Sequence, residues 1–282
     1  MFCPGGSARA FDAESGEPLW TYEPPRSLSL VRHTADADRV YIGTYEYGHG
    51  IEEVIALDAA TGEELWRRTF DGPWTHTRMR SLALAPTGEL LVAFEGEFVL
   101  NRILSVAVVI AVDPATGEEL WRYVDGDETT NRAISGLTIW DGLVLYSDGT
   151  GQEAVAFDLA TREVVWRAPF LPNSFSGLFP PQVKDGIAYF TDTQGGLHAV
   201  DARTGERIYV AEGRGGFFGH LVCGDVFFGL TPSGDFYRLS DGRLLGTANA
   251  PSSDDVVGQV ATDGDALYLS SDSGVYAYDC QL

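Results

Sequence analysis

Ala56-Leu57-Asp58-Ala59-Ala60-Thr61-Gly62-Glu63-Glu64-Leu65-Trp66 and Ala111-Val112-Asp113-Pro114-Ala115-Thr116-Gly117-Glu118-Glu119-Leu120-Trp121 are two copies of one phrase. A small apolar run ends in Asp, a Thr-Gly turn follows, and a Trp closes the unit. The same phrase runs from Ala10-Phe11-Asp12 through Gly16 to Trp20. Looser copies run from Ala156-Phe157-Asp158 to Trp166, from Ala199-Val200-Asp201 to Tyr209, and from Leu239-Ser240 to Leu245, while Ala277-Tyr278-Asp279 begins another at the C-terminus. A period of roughly 40–50 residues marks a solenoid, an array or a propeller, so the fold is read from the repeat.

Each phrase makes physical sense as a β-hairpin. Val54-Ile55-Ala56-Leu57 and Glu64-Leu65-Trp66-Arg67 are strand-like runs, and the segment from Asp58 to Gly62 supplies the turn. The Asp carboxylate accepts bonds from the amides that follow it, and the Gly takes a positive φ that a Cβ resists. In the fourth copy Arg162 stands at the Gly place, so that turn is either relaxed or strained.

Two further apolar runs precede each hairpin. Gly136-Leu137-Thr138-Ile139-Trp140, Asp141-Gly142 and Leu143-Val144-Leu145-Tyr146 form one such pair; Pro181-Gln182-Val183, Asp185-Gly186 and Ile187-Ala188-Tyr189-Phe190 form another. No segment sustains a 3.6-residue apolar period, and β-branched and aromatic residues crowd the runs between Gly and Asp clusters. The expected fold is all-β, built of four-stranded antiparallel blades repeated radially as a β-propeller.

The phrase Ala-x-Asp-x-x-Thr-Gly-x-x-x-Trp resembles the tryptophan-docking motif of the PQQ-like repeat family, and the resemblance runs over essentially the whole chain. That family holds the quinoprotein alcohol dehydrogenases and the non-catalytic assembly lipoproteins of the BamB type. The resemblance implies that Trp20, Trp66, Trp121 and Trp166 are wedges between neighbouring blades. An indole suits that task because it buries a large apolar area and keeps one N–H for a backbone acceptor.

Counting strands gives two at the start, five full blades and three at the end. Six blades are expected, closed by the strand Leu19-Trp20-Thr21-Tyr22 joining the sheet of Val260-Ala261, Leu267-Tyr268-Leu269 and Val275-Tyr276-Ala277. The alternative is an open or truncated seven- or eight-bladed ring, which leaves a raw sheet edge. Closure would bring Cys3 and Cys280 together, and a bond between them needs Cα atoms within about 7 Å. The count of three cysteines is odd and gives no disulfide framework, and Cys223 reads as a core residue.

Residues 1–282 are expected to form one domain, since no linker or charge block divides them and 44% apolar content supplies a substantial core. Nineteen Lys and Arg against 41 Asp and Glu give a formal net charge of −22, and Lys184 is the only lysine. Such a surface repels nucleic acid and anionic membranes. No run is apolar and long enough to span a bilayer, and residues 1–20 lack the basic start and apolar core of a signal peptide. Taken literally the chain is cytoplasmic, whereas the resemblance points to the periplasm or cell surface if the N-terminus is truncated. A monomer is expected.

The chemistry is sparse. No Cys or His pair has metal-ligand spacing, Asp125-Gly126-Asp127-Glu128 and Asp254-Asp255 read as solvated turns, and Gly213-Arg214-Gly215-Gly216 leads into a strand where a phosphate loop needs a helix. The dehydrogenases of the resembling family carry a vicinal cysteine pair over the quinone and a catalytic Asp with calcium. Neither set can be assigned here, so no catalytic residue, metal, PQQ or calcium site is expected. One constellation points to binding. The leading residues of the first strands, His33, Arg78, Arg80, Arg132, Gln182, His220 and Gln259, would ring a channel mouth and could hold an anionic or carbonyl-rich ligand. The function expected is therefore a non-catalytic binding or scaffold module with a protein or small-molecule partner. A quinoprotein-type oxidoreductase and a ligand-sensing part of a larger protein are the alternatives.

Overall fold

The computed structural model describes the chain except residues 1–5, 25–28, 46–51, 100–102, 128, 151, 171–178, 213–218, 231–233, 248–256, 263–265, 272–273 and 281–282. Cys3, Asp254, Asp255 and the segment 213–218 therefore lie outside the described residues, as does the side chain of Gln259. The chain divides into two compact units, Met1–Ile139 and Trp140–Leu282.

In the first unit, β1 (Ala8–Phe11) and β2 (Pro18–Tyr22) form a two-stranded antiparallel sheet. A four-stranded sheet follows, made of β3 (Ser29–Ala35), β4 (Arg39–Tyr45), β5 (Glu53–Asp58) and β6 (Glu64–Thr69), each paired with the next. Another is made of β7 (His76–Leu84), β8 (Leu90–Val99), β9 (Ile103–Val112) and β10 (Glu119–Asp125). Strands β5, β8 and β9 are buried along most of their described length and are rich in Val, Ile and Ala, as strands covered on both faces must be.

The second unit repeats the plan. β11 (Thr138–Trp140), β12 (Leu143–Asp148), β13 (Glu153–Asp158) and β14 (Val164–Pro169) form its first sheet. β15 (Gln182–Lys184), β16 (Ile187–Thr191), β17 (Leu197–Asp201) and β18 (Arg207–Ala211) form the second, and β19 (Gly219–Cys223), β20 (Val226–Leu230), β21 (Asp235–Arg238) and β22 (Leu244–Thr247) the third. β23 (Val257–Thr262), β24 (Ala266–Ser271) and β25 (Gly274–Asp279) make a three-stranded sheet. The first hairpins turn where the Asp-Gly pairs predict. Asp141 and Gly142 have φ of 48° and 79°, and Asp185 and Gly186 have 52° and 77°, the paired positive φ of a type I′ turn.

The repeated phrase is the hairpin of the last two strands. In the β5–β6 turn, Asp58 Oδ1 accepts from the amides of Ala60 and Thr61 at 3.0 and 2.8 Å and from the Thr61 hydroxyl at 3.0 Å. The Gly62 amide donates to the Asp58 carbonyl at 2.9 Å, and Gly62 has φ of 74°. Asp12, Asp113, Asp158 and Asp201 organise their turns the same way. Arg162 settles its open reading as strain: it adopts φ of 65° and donates its amide to the Asp158 carbonyl at 2.7 Å, so the turn is kept without the glycine.

Register fixes the wedge. Ala10 lies opposite Trp20, Ala56 opposite Trp66, Ala111 opposite Trp121, Ala156 opposite Trp166 and Ala199 opposite Tyr209, with a bulge beside each pair. Three of the indoles dock on the next sheet of their own unit or the next hairpin. Trp20 Nε1 donates to the Ala59 carbonyl at 2.9 Å, Trp66 to Pro114 at 2.9 Å and Trp166 to Ala202 at 3.1 Å; Tyr209 uses its hydroxyl on Leu239 at 2.7 Å. Each acceptor is the residue after the Asp place, and the turn glycine lies flat under the ring.

The sixth copy needs correction. Its turn is built on Arg238, whose carbonyl accepts the Gly242 amide at 2.8 Å, so Arg238 stands at the Asp place. The wedge place, opposite Phe236, is then Gly246 and not Leu245, which is exposed. Two other expectations also change. β2 pairs with β1 in a two-stranded sheet, not with the strands of the three-stranded C-terminal sheet. Cys280 is bonded to Cys223, with Cα atoms 5.4 Å apart, so Cys223 is a disulfide partner as well as a buried residue.

Candidate functional site

The polar residues expected at the channel mouth fall in both units, and each unit holds its own set. In the first, His33 is exposed on β3, opposite Ile42. Arg78 and Arg80 alternate along β7 and face carboxylates of the neighbouring β8: Arg78 Nε lies 2.8 Å from Glu97 Oε1, and Arg80 Nη2 lies 2.8 Å from Glu95 Oε2. Antiparallel pairing brings them together, since Arg78 sits opposite Glu95 and His76 opposite Glu97. Arg132, just past β10, is half-buried and donates its amide to the Ser105 carbonyl at 2.7 Å.

In the second unit, Gln182 opens β15 and is half-buried. His220, on β19, is buried with both ring nitrogens engaged: Nε2 lies 2.8 Å from the Pro180 carbonyl and Nδ1 3.3 Å from the Thr191 hydroxyl. The ring stacks on Phe227 at 5.2 Å. Burial pushes its pKa down to about 4, against the bond to Pro180, so His220 is neutral at pH 7 and serves packing.

The first unit also holds a group that spacing did not reveal. Glu52 immediately precedes β5 and is buried, and its Oε2 has no hydrogen-bond partner. Burial raises its pKa to about 8 against the pull of Arg80, Arg32 and Arg78. Two of those three arginines are already paired with Glu97 and Glu95, which leaves the desolvation of Glu52 the larger effect. Its amide donates to the Thr77 hydroxyl at 3.3 Å. Glu52 lines a cavity of about 230 Å³ with Phe70, Asp71, Trp74, His76 and Thr77. Trp74 forms the aromatic wall, packed edge-on against Phe94 at 5.4 Å, with the Arg122 guanidinium 5.9 Å from its ring centre. A protonated Glu52 offers this cavity an O–H donor, which suits a small ligand with a carbonyl or ether acceptor. The adjacent pair Glu52-Glu53 carried no sign of this in the sequence, because the missing partner is a property of the fold.

The family model described as outer membrane protein assembly factor BamB matches residues 4–104 and 105–281. The chain belongs to this PQQ-like repeat family. BamB from Moraxella catarrhalis superposes with a TM-score of 0.71 at 17% identity, covering 97% of this chain and 76% of that one, and so shares the propeller fold. Among curated proteins, the quinohemoprotein alcohol dehydrogenase of Comamonas testosteroni is 29% identical over 131 residues, 42% of this chain and 17% of its own length. The polyvinylalcohol dehydrogenase of Sphingopyxis sp. is 29% identical over 167 residues, 52% of this chain and 23% of its own length. The chain thus spans less than a quarter of either dehydrogenase.

Three features of this chain bear on the quinone and calcium that the dehydrogenase branch of the PQQ-like family implies. Its bonded cysteines are 57 residues apart in sequence. Among the described residues no three His, Cys, Asp or Glu side chains converge as a metal-binding group. The cations of β7 are occupied by Glu95 and Glu97.

Proposed function

We propose that this PQQ-like repeat chain is a non-catalytic binding or scaffold module. The observation that carries the reading is the use made of the motif. Its Asp residues organise turns, its Gly residues lie under rings, and its Trp N–H groups bond to carbonyls of the following hairpin. Every motif residue so placed serves sheet-to-sheet packing, and none is left over for chemistry on a substrate. The family description, an outer membrane assembly factor, supports a protein partner, and the acidic surface favours a basic face on it. The Cys223–Cys280 disulfide supports an oxidising compartment such as the periplasm or cell surface.

The deciding experiment adds PQQ and calcium to the purified chain and follows absorbance, thermal shift and oxidation of primary alcohols with an artificial electron acceptor. No stoichiometric complex and no turnover are expected; turnover would overturn the scaffold reading. A ligand-sensing role is favoured by one specific feature, the Glu52 cavity with its Trp74 wall.

A further inference from the structure

β10 is the end strand of its sheet, paired with β9 on its inner side, and it presents an apolar face to solvent. Trp121 is half-buried and Tyr123 buried, while Leu120, Arg122 and Val124 alternate with them and are exposed, Leu120 at 53% and Val124 at 43%. Leu120 is the extra residue of the bulge, since Glu119 pairs with Val112 and Trp121 with Ala111. A bulge needs one more residue, not an aliphatic one, and it re-aims the side chain that it carries. The extra residue is nonetheless aliphatic and exposed in each hairpin of this kind, where Leu19, Leu65, Val165, Ile208 and Leu245 hold the same place.

Further along the strand, β10 departs from the other copies. Three residues after the aromatic the chain has Glu23, Thr69, Pro169 and Glu212 in the hairpins of Trp20, Trp66, Trp166 and Tyr209, and Val124 in this one. Charge and proline are the usual means of blunting a sheet edge against pairing, and here an aliphatic stands in their place. Arg122, between the two aliphatics, is paired with Glu119. The charge left to a partner is that of Glu118. Its amide donates to the Thr116 hydroxyl at 3.2 Å and its carbonyl accepts from the Asp113 amide at 2.8 Å, whereas its exposed side chain is in neither bond. That carboxylate, on a chain of net charge −22, selects a basic occupant and repels a second copy of the chain.

We propose that β10 is a docking strand, which accepts an extended segment of a basic partner protein as a fifth strand of its sheet, with two aliphatic side chains of the segment on Leu120 and Val124 and a Lys or Arg opposite Glu118. Main-chain bonds to an open edge give an added strand its affinity, and alternate side chains give it specificity. The inference rests on the scaffold reading and names the chemistry of the partner.

Selection of a phage-displayed library of random twelve-residue peptides on the whole chain tests it. The recovered peptides are expected to carry Val, Ile or Leu at two positions four apart and a Lys or Arg two positions beyond, the spacing of alternate residues on one face of a strand. A synthetic peptide of the selected sequence, followed by fluorescence anisotropy, should bind one-to-one. Leu120→Ser and Val124→Ser should each weaken it about tenfold, the scale of one buried aliphatic side chain, and Glu118→Gln about threefold. Leu65→Ser, at the same place on β6, should leave binding unchanged. All four positions are exposed, so the variants should melt with the parent chain. Recovery of no peptide, recovery of peptides with another spacing, an equal loss in Leu65→Ser, or self-association of the chain that Leu120→Ser abolishes would overturn the proposal. The scaffold reading fails on a different result, alcohol turnover with added PQQ and calcium, so the two failures are distinguishable.

Discussion

Cys223, the last residue of β19, and Cys280, the residue after β25, are joined by a disulfide across 57 residues of sequence. The bond ties the three-stranded C-terminal sheet to the first strand of the sheet before it. Both cysteines belong to one apolar cluster with Leu221, Phe228 and Leu267, with Phe236 and Tyr278 packed against it. The sulfur of Cys223 also lies 2.9 Å from the Thr262 hydroxyl on β23.

Removing this bond should destabilise the second unit. Closing a loop of this length restricts the unfolded chain by about 4 kcal/mol in the chain-entropy account. Cys280→Ser should therefore lower the denaturation midpoint, and dithiothreitol should lower that of the parent chain but not of the variant. Equal midpoints for parent and variant would show that the bond is not formed in solution.

The wedges give a second expectation. Trp66 is buried, packs against Tyr41 with ring centres 6.0 Å apart and bonds across to Pro114. Trp66→Ala should cost about 3–5 kcal/mol, as large aromatic deletions in cores do. Leu65 beside it is exposed, and Leu65→Ala should change stability by less than about 0.5 kcal/mol. Urea unfolding of the two variants checks the contrast.

How far the sequence led can be judged at particular residues. The spacing from Asp to aromatic is the same in the copies ending at Trp20, Trp66, Trp121, Trp166 and Tyr209, because the turn and its bulge have fixed length; that made the hairpins and their wedges legible. In the sixth copy the apolar residue beside the aromatic's place is Leu245. Counting from the turn glycine Gly242 leads to Gly246, but an absent side chain leaves no apolar signal. The pairing of Cys223 with Cys280 was hidden for another reason, since an odd count of cysteines does not say which one stands apart. Glu52 was invisible because Trp74 and Thr77, which line its cavity, are distant from it in sequence. The expected anion-binding character of Arg78 and Arg80 did not foresee that Glu95 and Glu97 lie across the pair of strands.

Two of the buried titratable groups, Glu52 and His220, predict opposite pH slopes. Glu52 has its folded pKa raised from 4.5 to about 8, so the folded chain holds a proton that the unfolded chain releases between those values. Its contribution is present below about pH 4.5 and is lost as pH rises to about 8. His220 has its folded pKa lowered from 6.5 to about 4, so the unfolded chain takes up the extra proton, and stability is lost as pH falls from about 6.5 to 4. Glu52→Gln should flatten the alkaline decline of the melting temperature, and His220→Gln should flatten the acid decline. An unchanged profile in either variant would remove that group as the cause.

The turn at Arg162 and the turn at Gly62 have the same geometry with opposite occupants, so exchange should move stability in opposite directions. Arg162 has φ of 65°, where a Cβ costs about 1–2 kcal/mol, while glycine loses roughly 0.5–1 kcal/mol more backbone freedom on folding. Arg162→Gly should therefore gain about 0.5–1 kcal/mol, less whatever its side-chain contacts contribute. Gly62 has φ of 74°, and a Cβ there would stand 2.6 Å from the Trp20 ring, inside the contact distance of two carbons. Gly62→Ala thus meets both the backbone strain and a displaced indole, whose bond to the Ala59 carbonyl depends on the present ring position. A loss of about 2–4 kcal/mol is expected, the sum of a strained turn and a disturbed core contact. Urea midpoints for the two variants, measured beside the parent chain, should fall on opposite sides of it; a Gly62→Ala chain as stable as the parent would mean that the ring of Trp20 does not rest on this turn.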